Sequence, residues 1–490
     1  MNIVLALGLC FISGCLAISS AWTHEAADRS ERLMKLFLSV GFGLGIFSIS
    51  FFVERLLGIV HIRATDLCLT TLLLGIYFWA RSRRRSAHSI VSRLPDLRLP
   101  PWLQNFLMAS SAISLLAAIY ATVLRALVHP HGYGWDAFSI WNLHARFLFL
   151  GGMHWREGFS TLIPWSHPDY PLLVPAAIAH FWSYIGQGDP IVPSIISLAF
   201  TFATLGLLVS ALATLRGVAS AALAGIALAS TPFFIEQGAS QYADIPLSFF
   251  FLATVALLHL YQQRSAEIAD GRPLGLLVLA GVAASFAAWT KNEGMLFLVA
   301  FLVCSILSAS RWRQPPASGP LPLTSMRELA VLLLAIAPFL LLIAWFKHSI
   351  APPGDLFANP ETMIQKILSP ARYWAILRWY AKQFLRFGNW VVPATALLIV
   401  LRFLIPSSGT RRRETARWSS VMTLALTLSG YFVIYVITPN DLFWHLRFSL
   451  NRLFLQVWPS ALFLFFLFVG RRASLESQTE PNSPRNEANC

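Results

Sequence analysis

The stretch IVPSIISLAFTFATLGLLVSAL, residues Ile191–Leu212, contains no charged side chain. A helix rises about 1.5 Å per residue, so this stretch is long enough to cross a hydrocarbon core of about 30 Å. The chain has twelve more apolar segments, four before this one and eight after it, and none alternates as barrel strands do. In lipid a helix satisfies its own backbone hydrogen bonds. The sequence therefore predicts an all-α, polytopic transmembrane helical bundle.

The thirteen predicted spans divide the chain into three parts. Residues 1–100 carry three extra spans, residues 101–472 form the core, and residues 473–490 form a polar tail that we predict to be disordered. The first segment lacks the basic start of a signal peptide, so we interpret it as a span. The spans are Ile3–Ile18, Leu36–Phe52, Leu67–Ala80, Phe106–Leu124, Ile191–Leu212, Val218–Phe234, Ile245–Leu260, Leu274–Ala288, Met295–Leu307, Ala330–Phe346, Trp390–Val400, Val421–Ile437 and Phe454–Val469.

The composition excludes a water-soluble domain. Hydrophobic residues make up 56% of the chain and charged residues 12%, whereas a soluble domain has about a quarter charged residues. The net charge of +14 does not indicate nucleic-acid binding, because the arginines lie in short clusters between apolar segments. That pattern is typical of the positive-inside rule. The five cysteines show no metal-ligand spacing and imply no disulfide framework.

The arginine clusters also predict the orientation. If the spans alternate, the clusters all fall on one side, which we predict to be the cytoplasmic side of a bacterial inner membrane. The N-terminus is then outside, the C-terminus inside, and the long outer loops are residues 125–190 and 347–389. Whether the apolar stretch Pro171–Ile185 lies in the interface, dips into the membrane or spans it is open. The clusters are Arg81 to Arg98, Arg216, Arg264 with Arg272, Arg311 with Arg313, Arg411 to Arg417, and Arg471 with Arg472.

Ionisable residues in the outer loops are the candidates for chemistry. Asp136, in Gly-Tyr-Gly-Trp-Asp-Ala, could act as a general base, or it could cap the helix that begins at Ala137. His167 and Asp169, in His-Pro-Asp-Tyr-Pro with Tyr170, could share a metal or contact a phosphate, or they could simply form a rigid turn.

Three further outer segments carry candidate residues. Tyr242 and Asp244 lie in Tyr-Ala-Asp-Ile-Pro, where Asp244 could alternatively cap a helix. Lys291 and Glu293 share a turn so short that it suggests either a cavity or a tight polar turn at the surface. The last outer loop carries His445, Arg447 and Arg452. Its arginines break the positive-inside pattern, and a guanidinium that binds phosphate would explain the exception.

In their order along the chain, these motifs resemble the GT-C glycosyltransferases, the superfamily of protein O-mannosyltransferases and aminoarabinose transferase. The resemblance covers roughly Phe106–Val469. It implies an enzyme that moves a sugar from a polyprenyl-phosphate donor to a lipid, glycan or protein acceptor on the outer side. It also implies Asp136 as the base or as the carboxylate that orients the acceptor, with Lys291 and the outer arginines holding the carrier phosphate. We expect the other candidates to bind substrate or donor.

Two features depart from the protein O-mannosyltransferases and leave questions open. Those enzymes carry Asp-Glu in the first loop, whereas Asp136 is followed by Ala137, and the three spans before Phe106 are additional. A divalent metal is undecided, since Asp136, Asp169 and Asp244 could converge on one or only on hydroxyls. The alternatives are a transporter or flippase of lipid-linked glycans, which would place its charges near the midplane, and an O-antigen ligase or polymerase, which would concentrate its function in one late loop.

Overall fold

The computed structural model describes residues 2–23, 28–83, 96–97, 99–267, 272–310, 326–357, 360–390, 396, 398–399 and 414–469. Within these ranges the protein is helical and has no strand. The predicted all-α class is therefore confirmed. The predicted tail, residues 473–490, lies outside the described residues.

The helices are connected by segments of different lengths. A π-helical turn, Ala137–Trp141, leads directly into α5, and further short helical turns lie at Gly152–Phe159, Pro164–Ser166, Asp355–Phe357 and Phe387–Asn389. The α-helices are α1 (Asn2–Ala21), α2 (Arg29–Leu57), α3 (Ile62–Ser82), α4 (Pro101–Val128), α5 (Asn142–Leu150), α6 (Leu173–Ile185), α7 (Ile191–Leu215), α8 (Val218–Ala229), α9 (Pro232–Gly238), α10 (Asp244–Glu267), α11 (Leu274–Thr290), α12 (Asn292–Ser310), α13 (Met326–Ser349), α14 (Pro360–Ile367), α15 (Pro370–Arg386), α16 (Glu414–Ile437) and α17 (Leu442–Phe468).

The predicted spans correspond to helices wherever the structure describes them. Among the described residues, nine helices are long and apolar enough to cross a membrane: α1 to α4, α7, α10, α13, α16 and α17. The pair α8 and α9 forms a bent candidate, and α11 and α12 are shorter apolar helices. The remaining predicted span, Trp390–Val400, lies almost entirely outside the described residues. The chain is a multi-pass membrane protein.

Two predicted boundaries need correction. The sixth predicted span, Val218–Phe234, is not continuous: α8 and α9 meet at an angle of 70°, because Pro232 begins α9 and favours an extended Thr231 before it. The predicted outer loop before the last span is mostly helix. The side chain of Asp441 accepts a hydrogen bond from the Trp444 N–H and thereby caps α17, which begins at Leu442.

The stretch Pro171–Ile185, whose location relative to the membrane the sequence left undecided, contains α6, which has 13 residues. A helix of this length spans about 20 Å, which is shorter than a hydrocarbon core. Its residues are almost all buried, and it packs against α2 and α5. As a single helix it therefore supports residues 129–172 from within the protein and is too short to cross the bilayer alone.

Helix α10 lies at the centre of the bundle, and its apolar window is entirely buried. Its aromatic side chains pack against neighbouring helices. The Phe250 ring meets that of Phe286 edge to face with 5.5 Å between the centroids, and the Phe251 ring stacks on that of Phe297 with 3.9 Å between the centroids. The end of α10 opposite Asp244 is fixed by a buried ion pair of 2.7 Å between Arg264 and Glu31. The central helices therefore hold a defined position relative to one another.

Candidate functional site

Arg452 lies between two carboxylates from distant parts of the chain. Its Nη1 donates to Asp136 Oδ2 at 2.5 Å, and its Nε donates to Asp244 Oδ2 at 2.8 Å. Asp136 follows α4, and Asp244 is the first residue of α10. One planar guanidinium therefore joins α17 to both segments, which is a geometry that lysine would not reproduce.

Asp244 is the most enclosed member of this cluster, with a side chain that is 0% exposed. Its Oδ1 accepts from Gln456 Nε2 at 2.6 Å and from Lys291 Nζ at 3.1 Å. Tyr431 donates in turn to Gln456 Oε1 at 2.7 Å. Asp244 is thus paired with two cations and hydrogen-bonded at both oxygens, which is what a buried carboxylate requires. The alternative of a simple helix cap does not account for these contacts.

Lys291 is held by the tight turn between α11 and α12. It is the one residue between Thr290, which ends α11, and Asn292, which begins α12. Its Nζ lies 2.8 Å from Glu293 Oε1 and 5.8 Å from the ring centroid of Tyr170. Burial lowers the pKa of Lys291, but the carboxylates of Asp244 and Glu293 outweigh burial and raise it. Lys291 therefore remains a cation.

Gly294 is required for this turn, because a Cβ at this position would overlap the carbonyl oxygen of Ala287 in α11. We expect Gly294→Ala to lower the free energy of unfolding by roughly 1–3 kcal/mol, as overpacking does, and to displace Lys291. Melting of the purified protein followed by tryptophan fluorescence measures this. The matched control is Gly188→Ala, where a Cβ would meet no atom within 4 Å. Equal melting temperatures for the two variants would contradict the assigned role of Gly294.

The segment that carries Asp136 is shaped by glycine and by a π-helical turn. Gly132 and Gly134 have φ values of 83° and 95°, which glycine adopts readily. A Cβ on Gly134 would overlap the hydroxyl of Tyr242. The π turn begins directly after Asp136, whose side chain makes no capping hydrogen bond, and such turns are frequent at functional sites. Asp136 is therefore held for contact with Arg452 and does not cap the turn.

The guanidinium of Arg452 lies over the ring of Tyr242, with 4.6 Å between Cζ and the ring centroid. Burial, followed by the charge of Asp136, raises the pKa of Tyr242 to about 12. The phenol therefore stays protonated at neutral pH. A cation over an aromatic face is stabilised by the ring quadrupole, so Tyr242 helps to fix the guanidinium.

Gln241 connects the loops that carry Asp136 and Asp244. Its Oε1 accepts from Asn142 Nδ2 at 2.9 Å, and its Nε2 donates to the carbonyl oxygen of Pro130 at 2.9 Å. Its φ is 62°, in the left-handed region. A non-glycine residue keeps that conformation only where its surroundings determine it. Gln241 was not among the predicted site residues.

A second polar network lies beside the first. Asn292 Nδ2 donates to Asp169 Oδ2 at 2.6 Å, and Lys347 Nζ donates to Asn292 Oδ1 at 2.8 Å and to the backbone carbonyl of Asp169. Tyr170 lies between the two networks, because it directly follows Asp169 in the chain and Lys291 Nζ lies over its ring. The His167 ring stacks on Tyr170 with 4.7 Å between the ring centroids. The His167–Tyr170 segment therefore forms one wall of the site.

The two other candidates of the last outer segment lie apart from these networks. His445 Nδ1 is 2.9 Å from Thr438 Oγ1, and its ring packs against Tyr435. Arg447 is exposed and lies over the ring of Phe448. Neither has a direct contact with Asp136, Asp244 or Lys291 in the structure.

The carboxylates are not arranged as a metal site. Asp136 and Asp244 are joined by Arg452, whereas Asp169 belongs to the second network. Among the described residues, no group of three or more His, Cys, Asp or Glu side chains could hold a metal ion.

The charged side chains around Arg452 differ in sign and in exposure. Three carboxylates (Asp136, Asp244 and Glu293) face two cations (Arg452 and Lys291), which leaves one negative charge. The side chain of Asp136 is 23% exposed and that of Arg452 is 16% exposed, while Asp244 is enclosed. Asp136 and Arg452 are therefore partly accessible from outside the protein, whereas Asp244 is not.

The sequence does contain a signal for one of the missed residues. Gln456 is a polar residue within an apolar span and follows Arg452 by one helical turn, so both lie on the same face. A polar side chain within a span usually faces the protein interior. Asn292 and Lys347 offer no comparable signal, because each lies at a helix end where polar residues are common.

The described residues form a polytopic helical membrane bundle in which buried carboxylates and cations lie close together. Residues 175–351, just over a third of the chain, match the sequence model of the dolichyl-phosphate-mannose-protein mannosyltransferase family. The match confirms the resemblance to the GT-C polytopic glycosyltransferases and supports a membrane glycosyltransferase with a polyprenyl-phosphate sugar donor. It includes Tyr242, Asp244, Lys291 and Glu293, but neither Asp136 nor Arg452. No curated protein and no solved structure matches the chain.

Proposed function

We propose that the protein transfers a sugar from a polyprenyl phosphate to a hydroxyl of a lipid, glycan or protein acceptor, with inversion at the anomeric carbon. The observation that carries the proposal is the contact of Arg452 with Asp136 next to Lys291. It supplies a carboxylate that can accept a proton within reach of cations that can bind a phosphate.

In the proposed reaction, Asp136 accepts the proton of the acceptor hydroxyl while the oxygen attacks the anomeric carbon. The bond from that carbon to the phosphate oxygen breaks, and its electron pair leaves with the polyprenyl phosphate. Arg452 and Lys291 stabilise the charge that develops on the phosphate, which is the largest contribution in many enzymes. Because one displacement occurs, the configuration inverts.

We further propose that this site faces the outer side of a bacterial inner membrane, with the N-terminus outside and the C-terminus in the cytoplasm. In this arrangement residues 101–472 form the catalytic core, and residues 1–100 are an addition to it. The arginine clusters support this orientation. Reporter fusions at the two termini test it, and reversed reporter activity would contradict it.

The function is tested with membranes that contain the protein and a radiolabelled polyprenyl-phosphate sugar. We expect the label to move from the carrier to an acceptor. A label that crosses the bilayer while still attached to its carrier would overturn the enzyme and establish the transporter.

A comparison of two arginines tests the donor site. We expect Arg452→Ala to raise the apparent KM for the donor by about tenfold or more, since a charged hydrogen bond of 1.5 kcal/mol or more is lost. Arg447→Ala is the matched control, because Arg447 lies on the same helix but points to the surface. The apparent KM for the donor is measured for both variants. An equal increase in this KM would exclude Arg452 as the specific phosphate ligand.

A further inference from the structure

A cavity lies outside the candidate site, between the three additional N-terminal helices and the core. It has a volume of about 790 Å³ and is lined by α1, α2, α3, α11 and α13. Small-molecule sites in proteins have volumes of roughly 300–1,000 Å³. Nearly all lining side chains are apolar, and Glu54 is the one carboxylate among them. The cavity is therefore large enough for a ligand and has one charged end.

The shape of the cavity follows the helices. Along α2 it extends from Phe42 to Glu54, and along α3 it extends from Thr65 to Ala80. These distances are about 18 Å and 22 Å at 1.5 Å per residue. A slot of this length parallel to membrane-spanning helices matches a lipid tail, because lipid tails also lie along the membrane normal.

The polar end of the slot contains a carboxylate whose hydrogen bonding is incomplete. The Glu54 side chain is 1% exposed. Its Oε1 accepts from Ser50 at 3.2 Å, whereas its Oε2 is buried without a partner. A buried carboxyl oxygen without a hydrogen-bond partner is unfavourable. The slot therefore has an acceptor for a hydrogen-bond donor, and a cationic donor fits it best.

Two arginines lie close to this end of the slot, although neither is among its lining residues. Arg55 follows Glu54 directly, and its Nε is buried without a hydrogen-bond partner. Arg63, at the start of α3, lies over the ring of Tyr184. Positive charge is thus present near Glu54, at the rim of the slot, which complements a head group that carries both an amine and a phosphate.

The end of the slot is held in place by a buried network between α3 and α6. Asp66 Oδ2 accepts from the Tyr184 hydroxyl at 2.5 Å and lies 2.8 Å from His180 Nε2. These side chains are buried, and α3 otherwise packs mainly against α1. The network therefore fixes α3 at its outer end, and the slot stays open beside α11 and α13.

We propose that this slot binds a phospholipid whose amine head group donates to Glu54 and whose tail lies between α2, α3 and α11. The phosphate of the lipid lies against Arg55 and Arg63. A polyprenyl phosphate does not fit, because it brings a negative charge to Glu54 and has no amine. This lipid site is separated from the candidate active site by α2, on whose other side Phe52 packs against Trp289.

The test uses the full-length protein, purified in mild detergent and exchanged with phosphatidylethanolamine, phosphatidylcholine or polyprenyl phosphate. Native mass spectrometry counts the retained lipids. We expect phosphatidylethanolamine to be retained about tenfold more than phosphatidylcholine, whose head group has no N–H donor, since a hydrogen bond to a charged group gives this factor. Glu54→Gln should abolish the preference, whereas Glu157→Gln, at an exposed glutamate of the outer loop, should keep it.

A tryptophan substitution that fills the slot provides a second, independent test of lipid binding. Leu69 lines the slot, so Leu69→Trp should reduce the amount of retained lipid. Ile113 is exposed on α4, so Ile113→Trp should leave it unchanged. This arm remains informative if Glu54→Gln does not fold. Equal retention of the two phospholipids by the wild type, a preference that survives Glu54→Gln, or displacement by polyprenyl phosphate would each overturn the proposal.

Discussion

Asp136→Asn should lower the rate of sugar transfer by about 10²- to 10⁴-fold, the usual contribution of a positioned general base. The amide keeps the size of the carboxylate and can still accept a hydrogen bond from Arg452, but it cannot take a proton from the acceptor. Because Asp136 is partly exposed, the variant should remain folded and inserted. Transfer of radiolabelled sugar, measured at saturating donor and acceptor, gives the change in kcat.

Asp441→Asn is the matched control for this experiment. Asp441 is an exposed carboxylate at the start of α17, and it caps the helix without touching the cluster. Its replacement should leave kcat close to the wild-type value. Near-normal turnover of Asp136→Asn would remove Asp136 as the base. A rise in the KM for the donor without a fall in kcat would instead indicate that Asp136 only positions Arg452.

Asp244→Ala should destabilise the protein strongly, by about 3–5 kcal/mol, because it leaves Lys291 and Arg452 without their shared buried partner. Asp244 is enclosed and accepts hydrogen bonds from three side chains. The loss of folded protein during denaturant titration, followed by tryptophan fluorescence, measures the effect. We expect activity to disappear as well, since both cations would move.

A double variant distinguishes charge pairing from loss of packing. If the cost arises from the unpaired cation, Asp244→Ala combined with Lys291→Met should be less destabilised than the sum of the single variants, by roughly 0.5–3 kcal/mol. Additive effects would show that Lys291 and Asp244 are not coupled. The pair Asp441→Ala and Lys366→Met is a suitable control, because the structure gives no direct contact between Asp441 and Lys366.

Most of the fold could be predicted because a membrane span is a long, local signal. An apolar stretch such as Ile191–Leu212 specifies a helix without reference to the rest of the chain. The errors arose where a local detail changed a boundary. Thr231-Pro232 broke one span into two helices, and Asp441 capped α17 well before its apolar part began.

The candidate site could be predicted only as a set of residues and not as an arrangement. Sidedness grouped Asp136, Asp244, Lys291 and Arg452, and the structure brings these four into one chain of contacts. The sequence could not show that Arg452 joins both aspartates, since Asp136 and Arg452 are separated by 316 positions. Nor could sidedness separate Arg452 from Arg447, because that difference depends on which helix face each residue occupies.

The shared position of Arg452 has a consequence for the order of substrate addition. A phosphate that binds the guanidinium must weaken its contact with one of the two carboxylates. Asp244 is also held by Lys291 and Gln456, so the contact that yields is the one with Asp136. With the roles proposed above, the arriving donor releases the base from its ion pair. The acceptor hydroxyl is then deprotonated only when a sugar is in place to receive it, and the kinetics should follow a compulsory order in which the lipid-linked donor binds first.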